Sequence, residues 1–467
     1  MIRTREGRIR PLTAFEAVPF VRSGTPPSPI LAGRSGVAIR SVADSPGRTA
    51  PSHSERMRTP PDVVIFRLAV ARFISVGGST AAYTALIDLV FRRTHGSTVV
   101  LSLTVLLTMG AVGVFGPIGG VVADRWDRKR AMIASDLLGG AFFLTMAFVE
   151  PVWLILTVAL LTAAAAAPFG AGSTAAIPNL VQDDTLIARA NARLGIGTTL
   201  GITLGPAVGG LLVGWIGAGP VFALNAVSFA VSAALVWSIR APFRGVAGDE
   251  SEHGGARSVL AGFRFLRRDR VQLVLTIAWM VLLLGIGMAI VADRPLAADF
   301  SVGSIGFGVM LGVYGVGAVV GSWLASRLTA ATEPTGLVTG FAVAGVAGIG
   351  IWLAPLFWIV LVCNLVWGVG DGVTRVAKTG ILQRRTPDAV RGRVYAASES
   401  GLTFAYMTGF LLAGPTIAAL GAQATYAVGG LAALGAAALS STVIAAARRE
   451  PVEAVRVEAS KLPKDRA

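Results

Sequence analysis

The stretch that decides the fold is Gly116-Pro117-Ile118-Gly119-Gly120-Val121-Val122-Ala123-Asp124-Arg125-Trp126-Asp127-Arg128-Lys129-Arg130. An apolar run that begins near Thr98 ends there in Asp124, Arg125, Asp127, Arg128, Lys129 and Arg130, and a second begins at once with Ala131-Met132-Ile133. Each run is long enough to cross a hydrocarbon layer of about 30 Å as a helix. The short charged connection makes the two a helical hairpin, and its excess of Arg and Lys marks the loop as cytoplasmic. Gly116, Gly119 and Gly120 leave room for a close helix neighbour just before the charges. By spacing alone, the charges read equally as a gating latch and as a stop-transfer cluster that only sets orientation.

Composition supports a membrane protein. Of 467 residues, 54% are hydrophobic and 14% charged, with a mean hydropathy of +0.68, whereas soluble proteins carry about 25% charged residues. Ten-residue alternating segments are absent, which argues against an outer-membrane barrel. The net charge of +15 is concentrated in the N-terminal tail and in alternate loops. No basic face interleaved with aromatics is present, so nucleic acid is not an expected partner. Cys363 is the single cysteine and His53, His95 and His253 are scattered, so neither a disulfide, a metal site nor a cofactor is expected. No nucleophile–base pair or phosphate loop points to an enzyme.

Residues 1–60, rich in Arg, Pro, Ser and Gly, read as a disordered basic tail, and Met57, directly before the first span, is an alternative start. Twelve spans follow, near 65–91, 98–122, 131–149, 152–177, 191–217, 219–239, 271–292, 300–325, 335–354, 356–380, 399–420 and 423–447. They divide into an N-terminal six-helix half (61–240), a cytoplasmic linker (241–270), a C-terminal six-helix half (271–447) and a charged tail (448–467). In the linker, Val259, Leu260, Phe263 and Leu266 fall at helical spacing among arginines, which predicts a short helix on the membrane surface.

With the N-terminus inside, the cytoplasmic loops carry nineteen Lys and Arg and the opposite loops three: Arg92, Arg93 and Arg294. Both termini are therefore expected in the cytoplasm, with the chain in the cytoplasmic membrane. The halves also echo each other. Gly119 and Gly321 lie 202 positions apart, as do Arg189 and Arg391, and Gly205-Pro206 recurs as Gly414-Pro415. Three matches in order at nearly one offset indicate a six-plus-six duplication of the kind transporters use.

Span 5 carries the second informative pattern. Gly197, Gly201, Gly205 and Gly209 share one helix face, extended by Pro206 and Gly210. Such a face admits a close backbone neighbour, and Pro206 removes one helix hydrogen bond. Plain small-residue packing is the alternative reading. The stretch Gly201-x-x-x-Gly205-Pro206-x-x-Gly209-Gly210 resembles the antiporter motif of major facilitator exporters. Gly120-x-x-x-Asp124-Arg125-x-Asp127-Arg128-Lys129 resembles the gating loop between helices 2 and 3 of that superfamily. Ile177-Pro178-Asn179-Leu180-Val181, Asn225-Ala226-Val227-Ser228-Phe229 and Gln383-Arg384-Arg385-Thr386-Pro387-Asp388 are similar to the branch of macrolide-efflux and enterobactin-export proteins. The resemblance covers nearly all of residues 62–447. It departs in two places: span 4 holds no Arg, and Gly77 is followed by Gly78 where many relatives have an acid.

The resemblance implies an all-α membrane protein with twelve helices in two pseudo-repeats, working by alternating access. It implies proton-coupled efflux of a lipophilic or amphipathic small molecule, with a metabolite importer or facilitator of the same fold as the alternative. A carboxylate inside a span is costly unless paired or hydrated, so each is a functional candidate. Asp371 in span 10, with Arg375 one turn away, is the first candidate proton carrier. Asp136 is expected to pair with an Arg of the adjacent basic loop, and Asp88 to sit at the outer interface. Asn364 and Trp367, near Asp371, are candidates for lining the cavity with Arg375. The expected partners are substrate, protons and lipid, with the chain acting as a monomer.

Overall fold

The computed structural model describes residues 60–180, 184–241, 243 and 256–447. The expectations for the two terminal tails lie outside the described residues. Twelve long helices follow one another. They are α1 (Pro61–Arg93), α2, α3 (Arg128–Met146), α4 (Val152–Leu180), α5 (Asp184–Ile216) and α6 (Ala218–Ser238), then α7 (Arg270–Asp299), α8 (Gly303–Ala325), α9 (Glu333–Trp352), α10 (Phe357–Arg385), α11 (Asp388–Leu420) and α12 (Ala422–Ala447). Helix α2 is made of Thr98–Val105, a π-helical turn Leu106–Gly110, and Ala111–Arg125. No strand occurs among the described residues.

Eleven of these helices are long and apolar enough to cross a membrane. The remaining one, α3, is lowered in hydropathy by its Arg128-Lys129-Arg130 start and by Asp136, but its 19 residues span about 28 Å at 1.5 Å per residue. It packs between α4 and α6 like its neighbours. Asp127 caps it, accepting a hydrogen bond from the Arg130 amide at 2.9 Å, so the charged loop is also a helix-start signal.

The two halves have the same internal plan. In the first, α1 packs on α5 and α6, α2 on α4, and α3 on α4 and α6. In the second, α7 packs on α11 and α12, α8 on α10, and α9 on α10 and α12. A Cβ on Gly119 would lie 2.7 Å from the Ala167 carbonyl oxygen, and one on Gly321 would lie 2.8 Å from the Val369 carbonyl carbon. Glycine and target both recur 202 positions later, so the weak sequence echo marks one repeated helix crossing. The turns after α5 and α11 match as well: Gly217 (φ 82°) and Gly421 (φ 88°) take a left-handed backbone that an L side chain resists.

The linker helix is Ala256–Arg268. Rather than lying free on a membrane surface, it docks on α11. Gly262 abuts the Arg393 carbonyl, and Leu266 is buried with Leu382, Val394 and Ala397.

Candidate functional site

The end of the bundle that carries the α2–α3, α4–α5, α8–α9 and α10–α11 loops is rich in cations and is called here the basic end. The halves meet away from it, at the opposite end, through α5 against α8 and the first part of α2 against α11. A Cβ on Gly308 would lie 2.9 Å from the Pro206 carbonyl oxygen, and one on Gly315 would lie 2.9 Å from Thr203 Cγ2. Gly210 meets the Gly308 backbone directly. On the other flank the Thr98 hydroxyl donates to the Gly414 carbonyl at 2.9 Å. Ile87, Leu101 and Val105 of the first half share one apolar core with residues of α7–α12. Nearer the basic end, Gly116, Gly120, Gly195 and Gly392 face open space. Contact with α11 continues past the π-turn of α2, where Gly110 meets Met407 and Gly113 meets Thr403, and such turns are frequent at functional sites.

The glycine row of span 5 divides its work. Gly197, Gly201, Gly205 and Gly209 all press on α1, at Ala69, Gly77 and Ala81, and the Thr80 hydroxyl donates to the Gly201 carbonyl at 2.9 Å. Gly210, one step round the helix, faces α8 of the other half. Packing within the half and packing between halves are thus carried by adjacent residues of one motif.

Asp88 is not an interfacial residue. It is fully buried; one oxygen accepts from Arg294 Nε at 2.7 Å and from the Ser304 hydroxyl at 2.8 Å. Its other oxygen pairs with Arg92, and the Arg294 guanidinium lies 4.7 Å over the Phe91 ring. Asp88, Arg92 and Phe91 belong to the first half, whereas Arg294 and Ser304 belong to the second. The result is a charged clasp across the closed end. Read along the chain, Arg294 falls in an outer loop, because the apolar run ends at residue 292. The helix itself continues through Pro295 to Asp299.

Asp371 is buried and its Oδ2 accepts from the Tyr314 hydroxyl at 2.9 Å and from Arg375 Nε at 3.0 Å. The expected ion pair is therefore formed. Arg375 has a side chain 57% exposed and interacts with Tyr314 and Tyr406 from α8 and α11. Asn364 and Trp367 are a correction. Both are buried, and Trp367 stands edge-on to Tyr426 with a 5.6 Å centroid separation, against Gly348 and Gly429. They fill the second half instead of lining a cavity, which leaves Arg375 as the accessible member of that stripe.

Asp136 is buried, but its expected partner is also corrected. The cation acting on it is Arg72 of α1, together with the Ser75 and Ser232 hydroxyls. Arg72 in turn donates to Thr198 at 3.2 Å and Ser173 at 3.5 Å and lies 5.8 Å over the Phe169 ring. A guanidinium thus reaches α4, which has none of its own.

In the gating loop, Asp127 caps α3, and Lys129 Nζ donates to the Trp237 and Ile239 carbonyls at 2.8 Å each, capping α6. Arg125 and Trp126 are exposed. The Asp124 backbone is helical, and its side chain lies outside the described residues. In the second half the Gln383–Asp388 stretch ties helix ends together: Arg384 pairs with Glu333, and Arg385 reaches Asp269, the cap of α7, at 3.3 Å. Among the described residues no group of side chains is suited to a metal ion.

Two six-helix halves joined at one end, with buried ion pairs between and inside them, define a membrane transporter. The Major Facilitator Superfamily profile matches residues 68–329, and the chain belongs to that superfamily. It is 29% identical over 366 residues to the enterobactin exporter EntS of Shigella boydii serotype 4 (strain Sb227), covering 76% of this chain and 85% of that one. The same figures hold for EntS of Escherichia coli O157:H7 (strain EC4115 / EHEC). Among solved structures it is similar in fold to the nucleoside transporter NupG, at TM-score 0.63 and 14% identity, covering 82% of this chain and 99% of that one. It is also similar to a bacterial homologue of the lysosomal transporter Spinster in an inward-facing, unoccupied conformation, at TM-score 0.58 and 15% identity, covering 85% and 97%.

Proposed function

We propose that this protein exports a lipophilic or amphipathic small molecule across the cytoplasmic membrane, as a monomer, in exchange for protons. The observation that carries the reading is the clasp of Asp88 and Arg294 between the halves at one end, with Gly116, Gly120, Gly195 and Gly392 facing open space nearer the other. The cation count of the loops supports a cytoplasmic open end and cytoplasmic termini. The state described is then the one that receives substrate from inside.

Export requires the clasp to open and the basic end to close. Asp124, Arg125 and Arg128 are the groups that would hold the basic end shut, through charge-assisted contacts with facing helices. The Gly201–Gly210 motif lets α5 move against α1 and α8 with little steric obstruction. The Asp371–Arg375–Tyr314 group, accessible through Arg375, is the central site where substrate and proton compete. A charge moving across 100 mV yields about 2.3 kcal/mol, enough for roughly a fiftyfold substrate gradient. The names of the relatives favour a siderophore-like cargo.

The test is purified protein in liposomes with an imposed pH gradient, using enterobactin and the lipophilic cation ethidium as probes. Accumulation that needs both the protein and the gradient is the expected result. Equal fluxes with and without the gradient would remove proton exchange. No flux of either probe, together with lost uptake of a metabolite in cells lacking the protein, would replace export by import.

A further inference from the structure

We propose that Asp293 of α7 is a proton-binding group of this transporter and that the tyrosine hydroxyls around it connect it to Asp371. This deepens the proton-exchange reading and rests on it. Asp293 is buried and accepts a hydrogen bond from the hydroxyl of Tyr426, itself buried. Unlike Asp88 and Asp371, it has no Lys, Arg or His nitrogen within 4 Å among the described residues. An ionised carboxylate enclosed by apolar helices and offered only a neutral hydroxyl is strongly disfavoured against its protonated form. Packing does not explain the residue either, since Asn or Ser would hold the same hydroxyl without a titratable group.

The hydroxyl in contact with Asp293 is that of Tyr426 of α12, while Tyr83 of α1 and Tyr406 of α11 act on it electrostatically. On its own helix the next residue, Arg294, is committed to Asp88. The buried Tyr83 hydroxyl lies beside the Thr108 hydroxyl and within electrostatic reach of Tyr406 and Asp293. Tyr406 acts on Asp293, Asp371 and Arg375 alike, and Tyr314 donates to Asp371. Each carboxylate thus has one tyrosine hydroxyl in direct contact, Tyr426 on Asp293 and Tyr314 on Asp371. Asp293 lies two turns from the end of α7 at the clasp, and Asp371 near the middle of α10. For a proton to leave Asp293, the Tyr426 hydroxyl, which donates to the carboxyl at rest, rotates away and accepts that proton while releasing its own onward. The last proton lands on Asp371; the hydroxyls are unchanged, Asp293 is left as a carboxylate and Asp371 is neutral.

Infrared difference spectroscopy on the full chain in lipid nanodiscs tests this without reference to transport. Wild type minus Asp293→Asn at neutral pH is expected to show the C=O stretch of one protonated carboxyl, sensitive to exchange into D2O. Tyr426→Phe should shift that band, because a hydrogen bond to the carboxyl is lost, and Asp293→Glu should restore a titrating band. A carboxylate pair of bands in place of the carboxyl stretch would overturn the proposal, whatever the transport assays give. Should Asp293→Asn not fold, the Tyr426→Phe shift decides alone, and an unshifted spectrum sinks the idea. For the connection, Tyr406→Phe should keep the Asp293 band and slow substrate-coupled proton uptake at least tenfold. Undiminished uptake would sever Asp293 from Asp371.

Discussion

Replacing Asp88 by asparagine should move the protein from a state closed at the clasp end toward one that is open there. The carboxylate is fully buried and faces two guanidinium groups and a hydroxyl. An asparagine keeps a carbonyl for Ser304 or Arg294 but leaves two cations with no countercharge, one of them, Arg294, with a side chain only 7% exposed. Removing one partner of a buried pair costs about 3–5 kcal/mol, since the other charge is stranded. In the alternative state, with the halves apart at this end, Arg294 is hydrated and the cost disappears, so nearly all of it acts on the equilibrium between states. A shift of about 3 kcal/mol changes the ratio of the two roughly 150-fold. That is enough to invert a preference of about 2 kcal/mol for the closed form. Spin labels at His95→Cys and Ser301→Cys, in a Cys363→Ala background, report the separation of the two halves at that end by pulsed electron resonance. The wild type should give one short distance and the Asp88→Asn protein a dominant longer one. An unchanged distance distribution at normal protein yield would mean that apolar packing of Ile87, Leu101 and Val105 holds the end shut and the ion pair is incidental.

Three further outcomes follow from the site. Asp371→Asn should abolish accumulation driven by a pH gradient while leaving downhill exchange; if gradient-driven accumulation persists in liposomes, the coupling group is not Asp371. Gly205→Leu should lose transport and about 1–3 kcal/mol of stability by overpacking, because a side chain there meets the Gly77 carbonyl 2.6 Å from its Cβ and also Thr80. Gly195→Leu, which faces open space, should be tolerated, and equal melting temperatures and fluxes for the two variants would discard the motif. Asp124→Asn should reach normal membrane levels with transport reduced at least tenfold; transport near wild type would return the basic loop to a topology signal and helix cap.

Twelve membrane-crossing helices and their order along the chain are legible in the amino-acid sequence alone. The reason is the cost of burying unpaired backbone and charge in hydrocarbon, which forces helices of a set length and gathers cations into alternate loops. Where its helix ends differ from the structure, the helix runs on beyond the apolar run: α5 begins at Asp184, α11 begins at Asp388, and α7 continues to Asp299 through buried residues. The duplication was legible because both copies keep the same glycine crossings. Which buried polar residues meet depends on how the helices pack. Asp88 and Arg294 are 206 positions apart, Asp293 and Tyr426 133. Each reads in the chain as an isolated charge or aromatic near a helix end. Hydropathy sums over a window, so it carries the depth of a residue but not the face it presents or the partner that neutralises it.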